Sequence, residues 1–135
     1  MNHLAGLPEG RVPVLRLPAT PQDTNAGGDI FGGWLMAQVD IAGSIPAVLR
    51  ADGRVVTAAV RSMSFLKPVQ VGDLVSLYAE VTEVGRSSMR VAVEAWVQRR
   101  RPRPEAMRVA EAELVYVAID DRGRPRPVPK EAAGG

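Results

Sequence analysis

Hydrophobic and polar positions alternate through most of the second half of the chain, and one earlier stretch breaks that rhythm. From about Gly33, residues Trp34, Leu35, Gln38, Ile41, Ala42, Ile45 and Leu49 recur at intervals of three and four, the spacing of a helix face. Pro46 falls inside this pattern. It lacks a backbone N–H and crowds the carbonyl of Ala42, which predicts a kink or an early end. Ala51-Asp52-Gly53 closes the element, with Gly53 available for the left-handed stop. The remainder reads as strands. Val12, Val14, Leu15 and Leu17 make a short, imperfectly alternating strand, with Pro13 marking an edge or a start. Arg54 to Phe65 is rich in Val and Thr, as strands are. Leu74 to Val84 sets Val75, Leu77, Ala79 and Val81 against Ser76, Tyr78, Glu80 and Thr82, predicting one buried and one exposed face. Ser88 to Gln98 places Met89, Val91, Val93, Ala95 and Val97 on one side, and Arg108 to Ile119 supplies the last strand.

Turns at Lys67-Pro68 to Gly72-Asp73 and at Gly85-Arg86-Ser87 imply antiparallel pairing. The expected class is therefore α+β, one long helix against an antiparallel sheet of about five strands. One helix cannot cover both faces of such a sheet, so the other face or an edge is expected to pair with a second copy. A length of 135 residues suits one domain over 1–135. Residues 1–10 and the Pro/Gly-rich, charged run 121–135 are expected to be flexible or extended tails.

Composition narrows the chemistry. The chain has no cysteine, so disulfides and thiolate sites are excluded, in keeping with a reducing compartment. No cationic start followed by an apolar run marks a signal peptide, and no run approaches the roughly 20 apolar residues that span a bilayer. The expected address is the cytoplasm, with no membrane partner. Net charge is only +2, yet seven Arg lie between Arg86 and Arg108 against Glu94 and Glu105. Such a cluster attracts phosphate, on a nucleotide-bearing small molecule or on nucleic acid. The Arg99–Arg103 run also reads as a solvated loop, and no aromatic interleaves it, so nucleic acid is not the expected partner. The only histidine is His3, in the N-terminal tail. That disfavours His acid–base catalysis and His metal sites, and no Cys–His nucleophile, G-x-S-x-G serine or phosphate loop is present. Any chemistry must run on carboxylates, amides, hydroxyls and backbone donors.

Those groups gather between Pro21 and Arg50. Gly32 and Gly33 fall where a loop enters the helix, and the free N–H groups there would suit an oxyanion. The same glycines also suit close helix packing. Asp40 sits inside the apolar helical pattern, where a carboxylate is costly unless paired or used. It reads as a general base, a nucleophile, or a surface carboxylate paired with an Arg. Asn25 can hold a water or a carbonyl through its amide, or serve as a turn residue. Asp23 and Asp29 read as loop or helix-start carboxylates.

The run PQDTNAGGDIFGGWLMAQVDIAG (Pro21–Gly43) follows the pattern PxDTNxxGDIFGGWxMxxxDxxG and closely resembles the hotdog-fold acyl-CoA thioesterases of the YciA and brain acyl-CoA hydrolase type. GRVVT (Gly53–Thr57), SFLKPVQVGD (Ser64–Asp73) and YVAIDDRGRPRPVP (Tyr116–Pro129) extend the similarity, which covers about Leu15 to Pro129. The resemblance implies a hotdog fold, a long helix wrapped by the sheet, with subunits paired into dimers and often into trimers of dimers. It implies sites at the dimer interface, where Asn25 and Asp40 act from different subunits and the N–H of Gly33, beside Gly32, polarises the thioester carbonyl. It also implies that the Gly85-Arg86-Ser87-Ser88 turn contacts coenzyme A, with Lys67 and Arg90 as further phosphate contacts. Coenzyme A enters as part of the substrate, and neither a separate cofactor nor a metal is expected. The departures are Pro46, which bears on the acyl end of the pocket, and the Arg99–Arg103 loop.

Spacing supports action across subunits. Gly33 and Asp40 are seven residues apart, on nearly the same helix face but roughly 10 Å apart at about 1.5 Å per residue. The expected activity is hydrolysis of acyl-CoA to a free acid and coenzyme A. The alternatives are a non-catalytic acyl-CoA-binding protein or an acyl-CoA hydratase or dehydratase, which would need a histidine partnered with a carboxylate. Acyl length, oligomer size beyond a dimer, base against nucleophile for Asp40, and nucleotide or coenzyme A regulation stay open.

Overall fold

Period-two alternation builds most of the computed structural model, which describes residues 6–131; His3 and the outer ends of both expected tails lie outside them. The elements are β1 (Leu15–Pro18), a short 3-10 turn (Pro21–Asp23), α1 (Gly32–Ala51), β2 (Val55–Phe65), β3 (Leu74–Val84), β4 (Ser88–Arg99) and β5 (Glu105–Ala118). One five-stranded sheet runs in the order β1-β3-β4-β5-β2, every neighbour antiparallel. Consecutive β3, β4 and β5 form a meander, while β2 crosses over to pair with β5 and becomes an edge. The strand following the helix therefore presents an unpaired row of backbone groups over 11 residues.

On β4 the predicted face holds, with Met89, Val91, Val93, Ala95 and Val97 all buried. The helix lays Leu35, Val39, Ala42, Gly43, Ala47 and Ala51 against the sheet. That face is rotated from the predicted stripe. Ile41 is 50% and Leu49 76% exposed. The side that touches the sheet is instead lined with small residues, which let the helix approach closely. Pro46 does not end the helix, which runs on to Ala51. The single N–H it removes is outweighed by burial of Ala47 and Ala51 beyond it. The left-handed stop falls on Asp52 (φ 51°, ψ 49°), not on Gly53. Gly53 has φ 157°, and a Cβ there would also lie 2.6 Å from Arg126 Nη2.

Three other expectations change. β1 starts at Leu15, and Val12 is 85% exposed outside it; Pro13 cannot donate to the ladder. Ser76 and Tyr78, predicted to face solvent, are buried because the N-terminal segment crosses that face of the sheet. Arg16 Nε donates to Ser76 Oγ (3.0 Å) and the Arg11 guanidinium lies 4.9 Å from the Tyr78 ring centre. β5 begins at Glu105, paired with Arg99 of β4, so the connection contracts to residues 100–104. Arg99 is consequently not a solvated loop residue. Its guanidinium grips the buried Asp73 carboxylate through Nε (2.9 Å) and Nη2 (2.7 Å).

Beyond Ile119 the chain is extended and fastened. Arg126 Nη2 donates to Ala51 O (2.7 Å), Val128 N to Arg86 O (2.7 Å), and Arg50 to the carbonyl of Pro129. Among the described residues, no helix is long and apolar enough to cross a membrane.

Candidate active site

The site begins in the loop before α1, which its own hydrogen bonds hold rigid. The Asp23 carboxylate accepts from Thr20 N (3.1 Å) and Oγ1 (2.8 Å), and Asp23 O accepts from Phe31 N (2.9 Å). Between these points Asn25 closes a small ring: its N donates to Asp29 O (2.7 Å), and its Oδ1 accepts from Gly27 N (2.8 Å) and Asp29 N (3.2 Å). This is the Asx turn that Asn residues make readily. The turn uses the carbonyl of the Asn25 amide, so the group left for a ligand is the NH2 donor. Ile30 N then bonds to Val69 O (3.1 Å), tying the helix entrance to the segment before β3.

At the entrance, Phe31 caps the helix without a side-chain hydrogen bond. Among the described residues the N–H groups of Gly32 and Gly33 have no backbone acceptor. The close neighbours of these glycines are aromatic rings. A Cβ on Gly33 would lie 3.0 Å from the Phe31 ring, and one on Gly32 would lie 3.4 Å from that of Phe65.

Two turns along the helix, Asp40 is half-buried. Its Oδ1 accepts from Thr57 Oγ1 (2.6 Å) and from the Tyr116 hydroxyl (3.0 Å), which also lies 2.7 Å from the backbone carbonyl of Asp40. Burial, and next the Asp40 charge, push the Tyr116 phenol far above its ordinary range. Tyr116 is therefore a hydrogen-bond donor at every working pH. Neither Thr57 nor Tyr116 stood out in the sequence: a Thr in a strand and a Tyr in an alternating strand both read as ordinary sheet residues. The signal present was their place in GRVVT and YVAID, two of the short matching runs.

The predicted residues divide between two cavities. Gly33 and Asp40 line one of about 220 Å³, with Met36, Val39, Val60 and Met63 among its apolar walls and Thr57 opposite. Asn25, Gly32 and Lys67 line a second of about 350 Å³, together with Asp29 and Phe65. Within one chain, Asn25 and Asp40 thus face different spaces. Gly85, Arg86, Ser87 and Ser88 form the β3–β4 turn, outside the lining of both cavities. Gly85 N donates to Ser88 O (2.8 Å), and the Arg86 side chain is exposed. Arg90 is already engaged, 3.4 Å from Glu83 and 3.9 Å from Glu113.

Among the described residues, a single long helix held against a five-stranded antiparallel sheet defines a hotdog-fold protein, with free amides at the helix start and a braced carboxylate two turns on. Residues 27–102 match the profile of the thioesterase superfamily, and the chain belongs to that family. It is 47% identical over 133 residues to the acyl-CoA thioester hydrolase YciA of Escherichia coli strain K12, covering 97% of this chain and 100% of that one. Two crystal structures are also similar. The hexameric thioesterase y2039 of Yersinia pestis has a TM-score of 0.84 at 51% identity, over 93% of this chain and 100% of that one. HI0827, described as a hexameric broad-specificity acyl-coenzyme A thioesterase, has a TM-score of 0.84 at 48% identity, over 92% and 85%.

Proposed function

We propose that the protein is a single-domain acyl-CoA thioester hydrolase that releases a free carboxylic acid and coenzyme A. The observation that carries this reading is Asp40, held by Thr57 and Tyr116 in the wall of a cavity whose other lining, Met36, Val39, Val60 and Met63 among it, is largely apolar and suits an acyl chain. The Gly33 N–H polarises the thioester carbonyl, and Asp40 either takes a proton from water as it attacks or attacks the carbonyl carbon itself. Direct attack gives a mixed anhydride that a water molecule then hydrolyses to the free acid and the restored carboxylate. The C–S bond breaks, the coenzyme A thiolate takes up a proton, and the Asn25 NH2 group orients the reacting oxygen. Lys67, in the Asn25 cavity, is assigned to the coenzyme A phosphates, with the Gly85–Ser88 turn and Arg86 at the entrance. Arg90 is a weaker candidate because Glu83 and Glu113 already compensate its charge. A cytoplasmic address fits this reading, since a cysteine-free chain suits a reducing compartment.

A thiol-release assay over a panel of acyl-CoA chain lengths tests the reading. Steady turnover is expected, with several chain lengths accepted as in the broad-specificity relative HI0827. Stoichiometric binding without thiol release would make the protein an acyl-CoA binder instead.

The assembly follows from the edge strand. β2 is unpaired on its outer side and carries exposed Val56, Val60 and Phe65, while Ile41 of the helix is exposed as well. Pairing β2 with its copy would extend the sheet and bring the Asn25 loop of one subunit to the Asp40 cavity of the other. Three such dimers would give the hexamer described for the two crystallised relatives. Mixing Asn25→Ala with Asp40→Ala subunits should restore about half the wild-type activity per hybrid dimer, since a two-fold interface leaves one of two sites intact. Purified hybrids that stay as inactive as the parents would show that each site is built within one chain.

A further inference from the structure

We infer that Tyr116 is the positioning residue of the reaction: its hydroxyl, admitted to the helix by Gly43, holds Asp40 so that Oδ1 is committed to the protein and Oδ2 is left for chemistry. This rests on the reading of Asp40 as the reacting carboxylate. Thr57 and Tyr116 are direct partners across the β2–β5 ladder, so the sheet delivers two hydroxyls to one face at one level. Immediately after Thr57 the register shifts, between Thr57 and Ala59. Such bulges re-aim a neighbouring side chain. Both hydroxyls converge on Asp40 Oδ1, at 2.6 Å and 3.0 Å, and among the described residues no hydrogen bond reaches Oδ2.

Gly43 provides the space. It lies three residues after Asp40, on the same side of the helix, and a Cβ there would sit 2.4 Å from the Tyr116 hydroxyl oxygen and 3.1 Å from two ring carbons. Any side chain at this position drives the phenol away from Asp40. A tyrosine that only needed a partner for its hydroxyl would be satisfied by the Asp40 backbone carbonyl. The second contact, to the carboxylate, is what a positioning role adds. The phenol also stays protonated, as burial and the nearby carboxylate dictate, so the clamp does not open at alkaline pH.

The test is a double-mutant cycle on thiol release. Tyr116→Phe keeps the ring and removes the donor. It should lower kcat about tenfold, the scale of one hydrogen bond to a charged group, with KM within about twofold and the melting temperature little changed. In an Asp40→Asn background the same substitution should cost nothing more, because it acts through that carboxylate. Gly43→Ala should lower kcat at least as much in the wild type, and less in the Tyr116→Phe background, where the clash is smaller. Unimpaired kcat in Tyr116→Phe, or an equal loss in both Asp40 backgrounds, overturns the inference while leaving Asp40 in place. Normal turnover by Asp40→Asn overturns both.

Discussion

Asp40→Asn is expected to lower kcat by about 10²-fold or more while KM shifts only slightly, the range over which a positioned general base acts. The substitution preserves shape. An asparagine carbonyl takes the place of Oδ1 and continues to accept from Thr57 and Tyr116, so the helix, both hydroxyls and the cavity wall keep their arrangement. Only the second oxygen changes, from one that can take a proton or attack carbon into an NH2 group that can do neither. Folding should not suffer, because a half-buried charge is replaced by a neutral group of equal size. Substrate affinity should hold, because the residues assigned to coenzyme A, Lys67 and the Gly85–Ser88 turn, do not line the Asp40 cavity of their own chain. Steady-state thiol release with a matched thermal melt distinguishes this outcome from general damage. Turnover within about twofold of wild type would remove Asp40 from the mechanism.

The strands and the single helix were legible because their signals are local. β4 alternates cleanly since it is central and buried on one face throughout, and its five apolar residues could be named from spacing alone. Position 41 shows where such reading stops. Ile41 fits the helical period as well as Ala42 does, and nothing local distinguishes an apolar residue turned to this sheet from one left exposed. Ser76 and Tyr78 were misplaced for a related reason. Alternation describes the strand, whereas their burial comes from Arg11 and Arg16, some sixty residues away in sequence. In the site, Asp40 and Gly33 were visible as residues out of keeping with their surroundings. Thr57 and Tyr116 were in keeping with theirs, and only the cross-strand register brings them to Asp40. Asn25 was visible as a choice between turn and ligand; the structure shows the turn in its carbonyl and, among the described residues, leaves its NH2 group uncommitted.

Breaking the Asp73–Arg99 pair should produce a large loss of stability from one substitution. Asp73 is 1% exposed, and its two oxygens receive Arg99 Nε (2.9 Å) and Nη2 (2.7 Å), with Gln70 N (2.9 Å) as a third donor. Nη2 of Arg99 also reaches Pro68 O (3.3 Å), so one guanidinium pins both ends of the loop between β2 and β3. Arg99→Met leaves a carboxylate in the interior with one backbone donor, and such orphaned charges cost about 3–5 kcal/mol. For a domain whose whole stability is roughly 5–15 kcal/mol, that is a large fraction. Adding Asp73→Asn to Arg99→Met should recover at least half of the loss, since the remaining side chain is neutral and still accepts from Gln70 N. A simple count of lost contacts predicts the opposite order, with the double variant the weaker of the two. Alkaline pH should not mimic Arg99→Met. The hydrogen bond to Asp73 raises the guanidinium's proton affinity in the folded state, so its contribution is full below the unfolded value and is lost only as pH rises through the still higher folded one. Urea unfolding of the three proteins at one fixed concentration, which keeps any assembly contribution equal, gives the ordering. A double variant less stable than Arg99→Met would mean that the loop depends on the number of hydrogen bonds at Asp73 rather than on compensation of its charge.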